Sequence, residues 1–364
     1  MKKLALCLLS VLMILSLGAC SKKENKSDFD PIAEFGSDTL NVFNWGEYIG
    51  EETQKAFEEK YNVKVNYKMF DSNEEMYTSM IMGDSYDVIY PSDYMVERLI
   101  KEGRIQKLDT SLITNIDKIA DGLASPDYDP AHEYSIPYFQ GSVGIAYNKN
   151  MVTIEELEAE GWNILVNPKY KGQIFVYDAD RDNFMPAFKA LGYSMNTTDE
   201  AEIEAAYQWL LNQAKTMEPA YGTDEINDDM INGNYALAIC YSGAASYIIS
   251  ENDEIGYYEP KQGTNVWSDA MCIPTDAKNV KLAHAWINFN LEKEVAMDNS
   301  IYVGYTSGQK EALAELSAEG GEFDGIEAYT PRVGYELDEE YHDDNVLKEK
   351  LAELWVKVKA TKGE

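Results

Sequence analysis

From Thr39 onward, short strand-like runs alternate with helical patterns of about ten residues, and no other feature narrows the fold as much. TLNVFN precedes a helical pattern over Gly50 to Lys60, and VKVNYKMF precedes one over Asn73 to Met82. DVIYP precedes a third, Ser92 to Glu102, stopped by Gly103. Strands separated by helices of that length predict βαβ units and mostly parallel sheets in an α/β fold. The rhythm breaks over residues 105–135, which are rich in turn residues. It resumes with the extended stretch SIPYFQGSVGIAYNKN. A second α/β run follows, with strand QIFVYD, helices over Met185 to Leu191, about Glu200 to Lys215 and Glu225 to Asn232, and strand YALAICY. DEIGYYEPKQGTNVWSDAMCIP is again extended. Helices are predicted at Val280 to Leu291, Glu292 to Asn299 and about Asn345 to Lys359. Two α/β runs joined by two long extended stretches predict two lobes with a cleft between them.

Ligands of open α/β sheets bind at the carboxyl ends of the strands. In this chain those positions share one composition, an aromatic ring with a carboxylate or hydroxyl nearby. Trp45, Glu47 and Tyr48 follow TLNVFN, and Ser92, Asp93 and Tyr94 follow DVIYP. Asp178, Asp180 and Asp182 follow IFVY, Tyr241 and Ser242 follow LAIC, and Trp267 and Asp269 lie on the second extended stretch. Each has a plain structural alternative. Trp45 and Tyr48 can cap a core, Ser92 or Asp93 can cap a helix, DADRD can be a solvated acidic turn, and Trp267 and Asp269 can share one face of an ordinary strand. Together they describe a cage for an alkyl-ammonium chain. Ring faces attract cations by about 0.5–2 kcal/mol, and carboxylates add charge-assisted hydrogen bonds of about 1.5–3 kcal/mol.

Charge points the same way. The chain has 64 Asp and Glu against 31 Lys and Arg, a formal net charge of −33, and its arginines are Arg98, Arg104, Arg181 and Arg332. That excludes a nucleic-acid partner, whose phosphates need a basic face, and favours a cationic ligand. With three histidines and no CxxC spacing, neither metal nor cofactor is expected. No nucleophile elbow, phosphate loop or zinc-protease motif is present, so an enzyme is not expected.

The N-terminus MKKLALCLLSVLMILSLGAC has a basic start and a short apolar core, followed by Leu17-Gly18-Ala19-Cys20, which resembles a bacterial lipobox. The resemblance implies a signal peptide over residues 1–19, cleavage before Cys20, and a lipid on its sulfur that anchors the protein outside the cytoplasm. Residues 20–37 are polar and read as a tether. Cys240 and Cys272, each in an apolar run, read as buried free thiols.

FNWGEYI, NVKVNYKMFDSNEEMY, YDVIYPSDYMVERLIKEGRIQKLD, YSIPYFQGSVGIAYN, LGYSMNTTDEAEIEAAY, VWSDAMCIP, INFNLEKEVA and VGYTS together resemble the spermidine/putrescine-binding proteins of bacterial polyamine ABC importers, across essentially all of the mature chain. The resemblance implies a type II periplasmic-binding-protein fold, a polyamine in the cleft, and permease subunits as partners of a monomeric capture protein. By position it implies ligand-binding roles for Trp45, Tyr48, Ser92, Tyr94, Asp182, Tyr241, Trp267, Asp269 and Tyr305. The chain departs from the family at three places. Tyr241 replaces a usual Trp. A second acid falls nominally on Ala179, leaving Asp178 or Asp180, with Asp180 preferred. A C-terminal amide contact falls on Tyr341 or His342.

The implied lobes are residues 38–142 with 268–313, and 143–267 with 314–364, hinged near Tyr138–Gly144 and Thr264–Ser268. Closure over a ligand would neutralise carboxylates that are costly to bury alone. Other readings are a sugar or other cationic-metabolite importer component, a ferric-ion binder using Tyr257-Tyr258, an extracellular hydrolase and an adhesin. Of these, only the importer component shares the cleft logic.

Overall fold

The structure, a computed structural model, describes residues 29–361 apart from 124, 125, 224 and 331. Strands β1 (Thr39–Trp45), β2 (Lys64–Phe70), β3 (Val88–Ile89), β4 (Ser135–Asn148) and β5 (Ile174–Tyr177) come first in the chain. They are followed by β6 (Ala220–Gly222), β7 (Leu237–Tyr241), β8 (Ile255–Tyr258), β9 (Val266–Cys272) and β10 (Thr306–Ser307). One sheet runs β2-β1-β3-β9-β4 with β10 on the far side of β4, and the other runs β8-β4-β7-β5-β6.

The join is β4, buried along its whole length. Ser135–Ser142 pair with β9, whereas Val143–Tyr147 pair with β7, so one strand changes sheets between Ser142 and Val143. A strand central to two sheets needs apolar or hydrogen-bonded residues on both faces, and SIPYFQGSVGIAYN supplies them.

The sheets are mixed, a correction to the expectation of mostly parallel ones. The βαβ pairs β1–β2, β1–β3, β5–β6 and β5–β7 are parallel. All pairings of β4, and β3 with β9, are antiparallel. The physical cause is the crossing. A chain that leaves one lobe through β4 must re-enter through β9, and a returning strand runs the opposite way.

Each lobe has its own core. Leu40, Val42, Phe57, Val88, Trp286 and Ile287 cluster in one, and Val143, Ile145, Trp162, Ile174, Phe188 and Trp355 in the other. The second crossing lies beside the first, where Val143 N–H donates to Asn265 O at 3.0 Å and Thr264 is fully buried. A third passage, missed in the sequence, joins them. Val266 N–H donates to Glu339 O (3.0 Å) and Glu339 N–H to Thr264 O (2.9 Å). Arg332 holds that passage, bonding Asp338 at 2.6 Å and the Glu259 and Pro260 carbonyls.

Three further expectations change. Residues 29–37 are not a loose tether, because Pro31–Phe35 is helical with Asp30 as its cap, and Phe29 and Phe35 pack edge-on against Tyr61. The helix expected to begin at Met185 spans Asp180–Leu191, with Pro186 inside it. The helices Ile154–Glu160 and Lys310–Ser317 were not anticipated. Cys240 and Cys272 are buried free thiols. Cys20 and the leader lie outside the described residues. Among the described residues, no helix is long and apolar enough to cross a membrane.

Candidate functional site

A cleft of about 970 Å³ opens between the lobes, and all ten of the predicted ligand-binding residues line it. They arrive there because the carboxyl ends of the parallel strands face it. Trp45 ends β1 and Tyr241 ends β7. Ser92 and Tyr94 begin the helix that follows β3, and Asp180 and Asp182 begin the one that follows β5. Trp267 and Asp269 come from β9 near the crossing, and Tyr305 precedes β10.

From the first lobe to the second crossing the rings form a continuous wall. The Tyr48 centroid lies 6.4 Å from Trp45 and 5.9 Å from Tyr305, and Trp267 meets Tyr305 edge-on at 4.8 Å. Tyr241, from the other lobe, stands 6.4 Å from Trp267 at 80°. Trp45 is also part of the structure behind the wall, since its Nε1–H donates to Tyr90 O at 2.9 Å and it packs on Phe70 at 4.6 Å. Trp45→Ala is therefore expected to lower stability by about 2–3 kcal/mol as well as weaken binding. Thermal unfolding and ligand titration read the two losses separately.

Asp269 is 5% exposed, and its Oδ2 accepts the Tyr48 hydroxyl at 2.6 Å. Its Oδ1 is buried with no partner. Burial raises its pKa to about 6, against the lowering effect of hydrogen bonds from Ser92 and Tyr48. Asp182, from the opposite lobe, accepts the Tyr241 hydroxyl at 2.7 Å and is likewise raised to about 6, by burial and by the neighbouring Asp180. The site thus presents one buried and one half-buried carboxylate, each hydrogen-bonded by a tyrosine, with indole and phenol faces between them. The Trp267 Nε1–H is also buried without a partner. Rings with acids at the ends fit methylenes with ammonium groups at the ends.

Where the sequence left alternatives, the geometry separates them. Asp180 lines the cleft, whereas Asp178 points away and bonds Trp355 Nε1 and Lys359. Tyr341 lines the cleft, whereas His342 lies outside it, 3.5 Å from Glu97. Ser92 occupies the N-cap position but its hydroxyl does not cap. Ser92 Oγ accepts from Asn73 Nδ2 at 3.0 Å. Glu47 is exposed, at a positive φ of 49°, and shapes the loop.

Several cleft residues went unpredicted. Phe70, Asp71, Ser72, Asn73 and Glu74 form one more strand-end loop, and MFDSNEE carries the same ring-and-acid signal as the others. Asp93, read in the sequence as a cage acid or a helix cap, lines the cleft too; it is 2% exposed, its Oδ2 has no partner, and burial with the facing Glu340 carboxyl pushes its pKa well up. Arg181, Asn265 and Lys348 also line the cleft.

Gly141 sits where β4 is about to change sheets. A methyl group there would overlap the Trp267 indole and come within 2.7 Å of Ser242 Oγ. Gly141→Ala is expected to cost about 1–3 kcal/mol of stability and to displace the indole from the cleft. A fall in thermal midpoint and a shifted Trp fluorescence maximum check it.

Comparison with known proteins agrees with this geometry. Residues 52–322 match the family model of bacterial extracellular solute-binding proteins. The chain is 34% identical over 288 residues to the spermidine/putrescine-binding periplasmic protein of Escherichia coli K12, spanning 78% of this chain and 81% of that one. The solved spermidine/putrescine ABC transporter substrate-binding protein PotD of Streptococcus pneumoniae superposes with a TM-score of 0.78 at 34% identity, covering 90% of this chain and 100% of that one. The PotD lipoprotein of Treponema pallidum does so with a TM-score of 0.74 at 27% identity, covering 88% and 99%. With two lobes sharing β4 and a cleft at the strand ends, this chain belongs to the bacterial extracellular solute-binding proteins.

Proposed function

We propose that the protein captures a polyamine in this cleft and delivers it to an ABC permease. The observation that carries the reading is the unpartnered Oδ1 of Asp269, buried inside an aromatic wall and facing a second lobe that contributes Asp182 and Tyr241. A buried carboxylate oxygen without a partner is costly, and a primary ammonium with three N–H donors relieves that cost. Trp45, Tyr48, Trp267, Tyr241 and Tyr305 hold the methylenes. Asp269, Asp182 and Asp180 hold the charges, and Ser92 and Tyr94 complete the walls. The relatives from Escherichia coli and Streptococcus pneumoniae are named for spermidine and putrescine, which supports this class of ligand. Two aromatic faces and two ion pairs net about −8 kcal/mol after the costs of association, a micromolar dissociation constant.

The lobes, taken as residues 38–142 with 268–313 and 143–267 with 314–364, close about the crossings at Ser142–Val143 and Thr264–Val266. Because closure buries the acids, occupancy favours it, and the closed monomer docks on the permease. Cys20 carries the lipid anchor, a reading supported by the leader and by the Treponema pallidum relative, itself named a lipoprotein.

Calorimetric titration with putrescine and spermidine in about 150 mM salt, with maltose and glutamate as controls, tests the ligand class. Micromolar binding of an amine alone supports it, and absence of binding to either amine overturns it. Radiolabelled palmitate incorporation that is lost in Cys20→Ala tests the anchor.

A further inference from the structure

The cleft contains cations of its own, and they are not spread evenly among its acids. Asp269 and Asp182 are each met by a tyrosine hydroxyl, from Tyr48 in one case and from Tyr241 in the other. Glu74, which also lines the cleft, is ion-paired by Lys348 from the opposite lobe and accepts the Tyr94 hydroxyl at 3.2 Å. Next to that pair, the Arg181 guanidinium stands over two rings, 4.8 Å from the Tyr94 centroid and 5.0 Å from that of Tyr341. Tyr341 in turn donates its hydroxyl to Arg181 O at 2.9 Å, which fixes the box. An aromatic box beside a carboxylate is what an ammonium group needs. Here that position is already filled by the protein.

The cleft therefore has acids for more than two positive charges but leaves two of its cation positions open, one at Asp269 and one at Asp182 with its neighbour Asp180; at Asp93, whose Oδ2 is also unpartnered, burial and the facing Glu340 disfavour the charge. We propose that Arg181 and Lys348 stand in for the third ammonium of a longer polyamine, so that the site takes α,ω-diamines and discriminates against spermidine. This rests on the polyamine reading and narrows it. A trivalent ligand must either leave one ammonium unpaired or displace a guanidinium from between Tyr94 and Tyr341. A half-buried cation that loses its partners carries a cost. A diamine with ammonium groups at Asp269 and Asp182 meets neither penalty.

Calorimetric titration with putrescine, cadaverine and spermidine tests this in the wild type, Arg181→Gln, Lys348→Met, and the surface control Lys350→Gln. Lys350, on the same helix as Lys348, pairs with Glu200, so the control removes one positive charge outside the cleft. The wild type is expected to bind one of the diamines at least about tenfold tighter than spermidine. Arg181→Gln and Lys348→Met should each move the diamine-to-spermidine ratio at least fivefold toward spermidine, and Lys350→Gln should leave it unchanged. A wild type that prefers spermidine, cleft variants whose ratio stays put, or a control that shifts as far as they do would each overturn the proposal. Lys348→Met decides the matter if Arg181→Gln does not fold. Failure of the wild type to bind any amine would instead sink the polyamine reading, so the two failures are told apart.

Discussion

Replacing Asp269 with Asn is expected to weaken polyamine binding by at least about 100-fold while leaving the ligand-free protein as stable as before, or more so. Removing one partner of a buried ion pair costs about 3–5 kcal/mol, and each 1.4 kcal/mol is tenfold in affinity. Asn keeps the shape and an oxygen for the Tyr48 hydroxyl, 2.6 Å away in the native protein. It loses the charge, and its amide can place N–H donors where the unpartnered Oδ1 now lies. The ligand-free protein gains because a buried charge without a cation has been removed. Asp178→Asn is the matched control. It shares the DADRD segment with Asp182 but is tied to Lys359 and Trp355 outside the cleft, so binding should not change. Titration and thermal midpoints with and without ligand read both effects. An Asp269→Asn variant that binds within threefold of wild type would remove the carboxylate from the site.

The second large effect is with pH. Asp269 and Asp182 titrate near 6 in the folded protein because burial disfavours their charged forms, against about 3.9 in the unfolded chain. The folded state therefore holds protons that the unfolded state has released between about pH 4 and 6. The contribution of these groups to ligand-free stability is greatest below that window and is lost as pH rises through about 6. Asp93 and Glu340, also raised, act in the same direction. Glu102 and Glu156, lowered to about 2, are ionised in both states above pH 5, so their contribution does not change with pH there. Binding has the opposite sign. Primary amines stay protonated throughout, and each needs an ionised acid. Between pH 7 and pH 5 each of the two carboxylates should cost about tenfold in affinity, so that the dissociation constant rises about 100-fold. Over the same range the ligand-free thermal midpoint should rise. An affinity that is flat from pH 5 to 7 would show that these acids do not meet the ligand.

The two-lobed fold could be read in advance because βαβ rhythm is a local signal, and the cleft positions of Trp45, Ser92 and Tyr241 could be read because strand ends are where such folds place ligands; Asp269 could be read from the crossing stretch that carries the same ring-and-acid composition. What stayed hidden is non-local or masked by a stronger local cue. Pro186 pulled the predicted helix start to Met185, since proline usually marks a first turn. The helix in fact begins at Asp180, which puts Asp180 and Asp182 in its first turn, where the helix dipole favours acids. Lys348 gives no sign of a cleft role, because it lies in the last helix and reaches Glu74 only through the closing of the fold. The third passage, at Glu339, pairs with Asn265 across a sequence gap that no pattern spans.

The sheet order also decides when the molecule can assemble. In the first lobe β9 lies between β3 and β4, and β10 closes the far edge, so a nascent chain cannot finish that lobe until Thr306–Ser307 have left the ribosome. The second lobe, whose strands β4 to β8 are complete by Tyr258, has its sheet residues available earlier but shares β4 with the unfinished partner. Such long-range strand pairing slows folding. For a chain whose proposed leader sends it through a translocation pore, late completion is useful. The polypeptide stays threadable for most of its synthesis and acquires its ligand cleft on the side of the membrane where the ligand is met.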